Sequence, residues 1–372
     1  MTQSAGNTTL DYGRERARMR IASKYIPLLA TASVVVILYV YGCAAYGPRF
    51  ASLRVLVDLF KDNAFLGVAA IGATFVILSG GIDLSVGAVV AFTSILIAAF
   101  CEHHGVNCDY LRRSPDAAVA FYRYRHLATH HLHPLLAIGV SLVLGSLFGA
   151  LQGCIIHFYR QPPFLVTLAG MFFARGMGFV IHPQSLGIKQ PFYIAFLNDI
   201  KIPLVAGVDI PFTVMCLAVV FLVALFIAHY TRFGRAVYAI GDDEQSATLM
   251  GLPAGRTKIM VYTLAGFTSA LAGVVYTFYM QSGDPASCIG FELDAIAAVV
   301  IGGTLLSGGV GFVGGTAMGV LILGLIQNLI IFNGKLNSWW TRIAVGLLVL
   351  VFIAIQNVVT AASRRTTRAA AG

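Results

Sequence analysis

The chain has 372 residues, of which 58% are hydrophobic and only 11% charged, and its formal net charge is +9. A soluble globular chain carries about 25% charged residues, so this composition excludes a protein whose whole surface faces water. Most of the surface must face a lipid bilayer. The basic residues are not gathered into one patch with interleaved polar residues, and we therefore expect no nucleic-acid partner.

Ten apolar segments follow one another along the chain. A spanning helix needs roughly 20 mostly apolar residues, because the hydrocarbon layer is about 30 Å thick. The third and eighth segments are short, and each adjoins a glycine-rich break; an amphipathic stretch at 52–62 precedes the second. We expect an all-α integral membrane protein with one domain over 26–358 and about ten transmembrane helices, some broken or short. The predicted segments are 26–47, 60–79, 86–101, 134–157, 164–182, 210–230, 259–280, 293–306, 313–332 and 340–358.

The charges predict that both ends of the chain are cytoplasmic. Lys and Arg collect in the cytoplasmic segments that flank spans, and here they mark the tail 1–25, the connection 231–258 and the tail 359–372. Ten crossings return the C-terminus to the side of the N-terminus. The first apolar run is long enough to span, so we expect it to be retained as a helix rather than cleaved as a signal peptide. The segment 102–133 disagrees, because it falls outside and holds four Arg.

The string GGIDLSVG at 80–87 predicts a broken helix. The two glycines end one helix, and Asp83 or Ser85 can cap the next by accepting backbone N–H bonds. Irregular backbone is tolerated at membrane depth where it lines a cavity, so Asp83 and Ser85 are candidates for a translocation path. A capped break without transport function is the alternative. The string LSGG occurs at 78–81 and again at 306–309, a match too short to establish a duplication.

The connection 231–258 is too polar to span. From about Asp243 its sequence is typical of a short helix, with acidic residues in the first turn and Gly251 at the end. Ala247 and Gly251 are four residues apart, which places them on one face of such a helix. An ordinary surface helix and a docking element for a soluble partner are the two interpretations.

Ionisable residues at membrane depth are costly and usually paired or functional. Arg175 lies well inside the fifth segment and is a third candidate for the translocation path. Glu292 and Asp294 begin the eighth segment, where capping of the helix is the simpler interpretation.

Glycines 145, 149 and 153 recur at helical spacing in the fourth segment. Small residues allow helices to approach closely in lipid. We therefore expect these glycines to serve helix packing rather than a hinge or a pore.

No catalytic or metal-binding motif is evident. Histidines and Cys108 gather in 102–133, and Cys101 could pair with Cys108 in an oxidising compartment, but zinc-ligand spacing is missing. There is no GxxxxGK[ST] phosphate-binding loop, no nucleophile elbow and no HExxH. We predict that the chain is not an enzyme and holds no metal or cofactor of its own.

Five strings together resemble the permeases of ABC sugar importers of the ribose-transporter class, and within that class a permease of the bacterial galactofuranose importer. The order and spacing of the strings agree with the family from about Asn63 to Val358. The strings are GGIDLSVGA at 80–88, LVTLAGMFFARG at 165–176, TRFGRAVYAIGD with MG at 231–251, FELDAIAAVVIGGTLLSGGVG at 291–311 and LNSWWTRIAVG at 336–346.

The resemblance implies a type II ABC importer permease that carries a monosaccharide, above all galactofuranose, across the bacterial inner membrane. It implies a cytoplasmic ABC ATPase that binds ATP and Mg, a periplasmic sugar-binding protein, and a second, different permease chain. The loop 231–253 would dock on the ATPase, with Ala247 and Gly251 at the contact face. The coupling residues implied are Arg232, Gly234, Arg235, Glu244, Gln245, Ala247, Gly251 and Leu252.

Two positions depart from the family pattern. The segment 102–133 is an insertion in a normally short outer loop, which puts the usual docking of a binding protein in question. Asp242-Asp243 stand where the family tends to have Gly-Asn.

Other functions remain as alternatives. A permease for ribose or another pentose or hexose is the nearest. An ion-driven secondary transporter needs ionisable groups in mid-span, and Arg175 is the one candidate.

Overall fold

The computed structural model describes residues 28–101, 133–190, 193, 200–203, 207–337 and 339–369. Within these ranges the chain is a helical bundle with two short antiparallel strand pairs, β1 with β4 and β2 with β3. The strands are β1 (Leu186–Gly187), β2 (Lys201–Pro203), β3 (Asp209–Pro211) and β4 (Ser282–Gly283). The helices are α1 (28–46, followed by a 3₁₀ turn at Gly47–Arg49), α2 (Leu53–Asp62), α3 (Ala64–Leu78), α4 (Val86–Cys101), α5 (Pro134–Phe158), α6 (Pro163–Ile181), α7 (Phe212–Tyr230), α8 (Arg232–Asp242), α9 (Glu244–Leu249), α10 (Ala254–Met280), α11 (Phe291–Ile301), α12 (Val313–Asn333) and α13 (Trp339–Ala369).

The all-α membrane architecture is confirmed, and each of the ten predicted segments coincides with a helix. Among the described residues, six helices are long and apolar enough to cross a membrane by themselves: α1 with its 3₁₀ turn, α5, α6, α7, α10 and α12. The helices α2 and α3 meet this condition only together and are bent by 53°. The helix α4 and the apolar part of α13 (Trp339–Ala354) are shorter. The count of ten crossings stays a prediction.

One difference from the predicted boundaries lies at the C-terminal end of the bundle. The helix α13 continues through 359–369, which the sequence assigns to a basic tail. That stretch is rich in Ala and Arg, both strong helix formers. Residues 1–27 and 102–132 lie outside the described part, and with them the whole N-terminal tail and all of the predicted insertion except His133.

Left-handed glycines produce the two predicted breaks. The helix α3 ends at Leu78, and Gly80 follows with a φ of 78°. The helix α11 ends at Ile301, and the loop before α12 carries Gly308 and Gly309 with φ values of 87° and 73°. Glycine adopts this region without steric cost because it has no Cβ, so the chain can reverse direction within a few residues.

The helix α10 is the centre of the bundle, because it packs against α3, α4 and α5 together. Its contact with α5 is made of glycines. A Cβ atom on Gly145 would lie 2.8 Å from the carbonyl oxygen of Gly266, and one on Gly153 would lie 2.9 Å from Cα of Ile259. A Cβ on Gly149 would collide with the carbonyl oxygen of Tyr262. The prediction that these glycines serve helix packing is confirmed.

Replacing Gly149 by Ala tests this packing. We expect Gly149→Ala to lose about 1–3 kcal/mol of stability, because its methyl group meets backbone of α10 that cannot rotate away. Gly139→Ala is the matched control on the same helix, since nothing lies within 4 Å of its Cβ position. Alanine favours helix over glycine by about 1 kcal/mol, so the control should be unchanged or slightly stabilised. Thermal unfolding in detergent measures both, and equal melting temperatures would contradict this account of the packing.

Candidate functional site

The connection between α7 and α10 contains two helices, whereas the sequence predicts only the second. Thr231 caps α8: its Oγ1 accepts the backbone N–H of Gly234 at 3.1 Å and donates to the carbonyl of Ile227 at 2.6 Å. The buried residues Ala236, Val237 and Ile240 form one face of α8. This amphipathic face, rather than any local turn signal, holds α8 on the end of the bundle.

Two aromatic side chains attach α8 to the membrane helices. The ring of Phe233 stacks on Phe75 of α3 with centroids 6.3 Å apart. The hydroxyl of Tyr238 donates to the carbonyl of Gly311, just before α12, at 2.9 Å. Burial raises the pKa of Tyr238 to about 12, so the phenol stays protonated and able to donate at physiological pH.

The helix α9 is placed as the sequence predicts, from Glu244 to Leu249. Asp243 caps it by accepting the N–H of Ser246 on Oδ1 at 2.8 Å. Glu244 pairs with Lys258 in the first turn of α10 at 2.6 Å. This ion pair and the cap fix the direction in which α9 leaves the bundle.

The prediction that Ala247 lies on the partner-facing side of α9 is wrong. Its side chain is fully buried, packed with Ala236, Ile240 and Ala254. Gly251 lies beyond the end of α9 with a φ of 83°, so the two residues do not share a helix face.

The exposed apolar residues at this end are instead Leu249, which is 90% exposed, and Met250, which is 72% exposed. We call this pair the α9 tip. The sequence analysis missed it, although two large apolar residues in a polar connection were a usable signal.

The other predicted coupling residues differ in how exposed they are to solvent. Gly234 is buried and Leu252 is half-buried. The exposed ones, which are available to a partner, are Arg232, Arg235, Glu244 and Gln245.

The first break holds a buried polar cluster. Asp83 accepts the N–H of Ser85 at 2.8 Å and its hydroxyl at 2.6 Å, and Oγ of Ser85 lies 3.3 Å from Oε1 of Gln152. Asp83 is only 5% exposed, and Nε2 of the buried Gln152 has no partner among the described residues. The sequence predicted Asp83 and Ser85 but missed Gln152, the single glutamine of α5.

The carbonyl of Ile82, inside the break, is also covered. It accepts the hydroxyls of Thr167 and of Tyr262, each at 3.4 Å. Side chains from α6 and α10 therefore hold the irregular backbone between α3 and α4.

Arg175 is not hydrogen-bonded to this cluster. Its guanidinium donates to the carbonyls of Pro285 at 2.9 Å, of Ser287, and of Cys288 at 3.3 Å. All three belong to the loop between α10 and α11. The structure therefore brings Asp83 and Ser85 together and uses Arg175 to tie α6 to a different segment.

One of the two acidic residues at the start of α11, Asp294, has a different role from the simple cap that the sequence suggests for it. The N-cap is Gly290, with a φ of 77°. Asp294 forms an ion pair with Arg342 of α13 at 2.7 Å.

No group of three or more His, Cys, Asp or Glu that could hold a metal ion occurs among the residues that the structure describes. The histidines between 103 and 131 and the Cys101–Cys108 pairing involve residues outside the described ranges.

Comparison with known proteins gives a consistent result. The family model for the permease component of the branched-chain amino acid transport system matches residues 55–353. The chain is 44% identical over 335 residues to the inner membrane ABC transporter permease protein YjfF of Escherichia coli K12, covering 90% of this chain and 93% of that one. It is 36% identical to the fructose import permease FruG of Bifidobacterium longum (92% and 94% covered) and 33% identical to the ribose import permease RbsC of E. coli K12 (83% and 88%). No solved structure matches.

Substitution of Arg175 tests its role as a tie between α6 and the loop before α11. Lysine keeps the charge but lacks the planar fork that reaches several carbonyls. We expect Arg175→Lys to lower stability by about 1–3 kcal/mol, because partly buried carbonyls lose their donors, and to make the loop 284–290 easier to cleave by protease. Arg235→Lys, at an exposed position, is the control. Melting and limited proteolysis in detergent report both effects; a variant indistinguishable from the parent protein would rule out the tie.

Proposed function

Because this chain belongs to the family of ABC importer permease components, we propose that it carries a monosaccharide of the galactofuranose kind across the membrane. The chain is a membrane-spanning permease subunit of a sugar importer in the inner membrane. As a permease subunit it is not itself an enzyme. Membership of this family also implies two partners, an ABC ATPase and a substrate-binding protein.

The choice of galactofuranose rests on the strings at 165–176 and 336–346, which resemble permeases of galactofuranose importers. The fructose and ribose import permeases among the relatives support a monosaccharide as cargo. Ribose or another pentose or hexose is the alternative within the same mechanism. We assign most of the specificity to the binding protein, because buried hydroxyls among the described residues, such as those of Thr74, Ser141 and Thr277, donate to carbonyls of their own helix.

The α9 tip is the observation that supports ATPase coupling most directly. Two large apolar side chains, Leu249 at the end of α9 and Met250 directly after it, are exposed in the polar connection between α7 and α10. Exposed apolar anchors that fill a pocket of the partner dominate the energy of many protein interfaces. The exposed Arg232, Arg235 and Gln245 would form a polar rim around them.

In the proposed cycle this chain binds no nucleotide. ATP and Mg are held by the partner ATPase, whose closure displaces α8 and α9. The membrane helices then expose the sugar path alternately to the two sides. Both termini and the connection 231–258 face the cytoplasm in this proposal, and the second permease is a different chain, so that the membrane unit is a heterodimer.

We place Asp83 and Ser85 beside the sugar path. They lie in a helix break whose backbone accepts hydrogen bonds from side chains of α6 and α10, and such irregular backbone occurs at membrane depth where it lines a cavity or is buried in protein. Arg175 would act on the path through the loop before α11, whose carbonyls it binds.

Charged substitutions in the α9 tip test the coupling proposal. We expect Leu249→Asp combined with Met250→Asp to abolish co-purification of the ATPase and to reduce ATP-driven uptake at least roughly 30-fold, since losing a central anchor costs about 2 kcal/mol or more. Thr248→Asp is the control, because it adds a charge at a neighbouring exposed position without removing an apolar anchor. Normal complex formation and uptake by the double variant would refute docking through this tip.

A further inference from the structure

The two LSGG strings, far apart in sequence, are in backbone contact. The N–H of Gly309 donates to the carbonyl of Leu78 at 2.9 Å. A Cβ atom on Gly308 would lie 2.8 Å from the backbone nitrogen of Gly80. The break after α3 and the break before α12 thus form one joined unit, although nothing in the local sequence of either string requires the other.

The last turn of α8 lies directly on this contact. A Cβ atom on Gly241 would collide with the carbonyl oxygen of Leu78 and would lie 2.6 Å from the nitrogen of Gly309. A Cβ on Gly309 would in turn lie 2.7 Å from Cα of Asp242. Only a glycine at 241 lets α8 rest on the hydrogen bond that joins the two breaks. We call Leu78, Gly80, Gly241, Gly308 and Gly309 the glycine junction.

A second contact and an adjacent cavity accompany the junction. The hydroxyl of Tyr238, one turn earlier on α8, donates to the carbonyl of Gly311 on the α12 side. A cavity of about 160 Å³ adjoins the α3 side and is lined among others by Ser79, Gly81, Ile240 and Tyr262. The α8 helix is therefore tied to the second break by a side chain and has open space beside the first.

The junction also leads to the buried polar cluster. Gly81 lines the cavity, and a single residue, Ile82, separates it from Asp83. Asp83 is bonded to Ser85, from which α4 continues. A displacement of the glycine junction would therefore be transmitted to the proposed sugar path through the short segment 81–85.

We propose that the glycine junction is the point at which α8 moves both broken helices together, and that Gly241 is the positioning residue for this movement. The inference rests on the proposed docking of α8 and α9 on an ATPase. Beyond that docking, we infer one contact, the glycine junction, that connects α8 to both breaks. One displacement of α8 then shifts the end of α3 and the start of α12 together.

The test uses the complete transporter in proteoliposomes, with uptake of labelled sugar and ATP hydrolysis measured on the same preparation. In Gly241→Ala the α9 tip is intact, so we expect the ATPase to bind and hydrolyse ATP. The added methyl group separates α8 from the joined breaks, and we expect the number of sugar molecules imported per ATP to fall at least 5-fold. Gly314→Ala in α12 is the control, because nothing lies within 4 Å of its Cβ position, and its ratio should equal that of the parent protein.

Tyr238→Phe provides a second variant that removes a single hydroxyl and keeps the ring. We expect it to assemble normally and to lower the sugar-to-ATP ratio about 2-fold, through loss of the tie to Gly311. If Gly241→Ala does not fold, an unchanged ratio in Tyr238→Phe overturns the proposal by itself.

Other outcomes are also decisive. If uptake and hydrolysis fall in parallel in Gly241→Ala, so that the ratio is unchanged, the junction is only structural and the inference is wrong. An ATPase that fails to bind even the parent chain would instead contradict the proposed function, on which the inference rests.

Discussion

Backbone polar groups in a bilayer must find partners inside the protein, because lipid offers none. Among the described residues, the two LSGG breaks interrupt apolar helices and so leave carbonyl and N–H groups that a continuous helix would have paired. Part of the solution is mutual: the N–H of Gly309 in one break bonds the carbonyl of Leu78 in the other. The rest comes from side chains, with Thr167 and Tyr262 covering the carbonyl of Ile82 and Asp83 accepting the N–H of Ser85. The need to pair these backbone groups explains the structure of the two breaks and of the buried polar cluster. It also explains the position of α8 against the breaks.

The central position of α10 follows from a related constraint. Helices in lipid gain no hydrophobic free energy from each other and associate through close packing. The glycine face of α5 lets α10 approach until backbone meets backbone at Gly145 and Gly266. Tyr262 and Lys258, on the first turns of this well-packed helix, then reach the first break and α9 respectively. One rigid helix therefore positions both the proposed path and the coupling element.

Strong local signals made much of the architecture predictable from sequence. Apolar length located ten helical segments, paired glycines located the breaks, and the cap Asp243 located α9. The helix α8 was missed because its stability comes from burying Ala236, Val237 and Ile240 against the bundle, which no local pattern reveals. The exposed side of α9 was assigned wrongly, because the spacing of Ala247 and Gly251 does not tell which face the bundle covers. Gln152 and the meeting of the LSGG strings depend on contacts between distant segments.

We propose that this chain moves a monosaccharide only as part of an ATP-driven complex. Proteoliposomes holding this chain, the proposed second permease and the ATPase, supplied with the binding protein, allow uptake of labelled galactofuranose, ribose and fructose to be compared. We expect the rate of galactofuranose uptake to exceed the rates for ribose and fructose, and we expect it to depend on both ATP and the ATPase. Uptake by this chain alone under an ion gradient, without the ATPase, would contradict it.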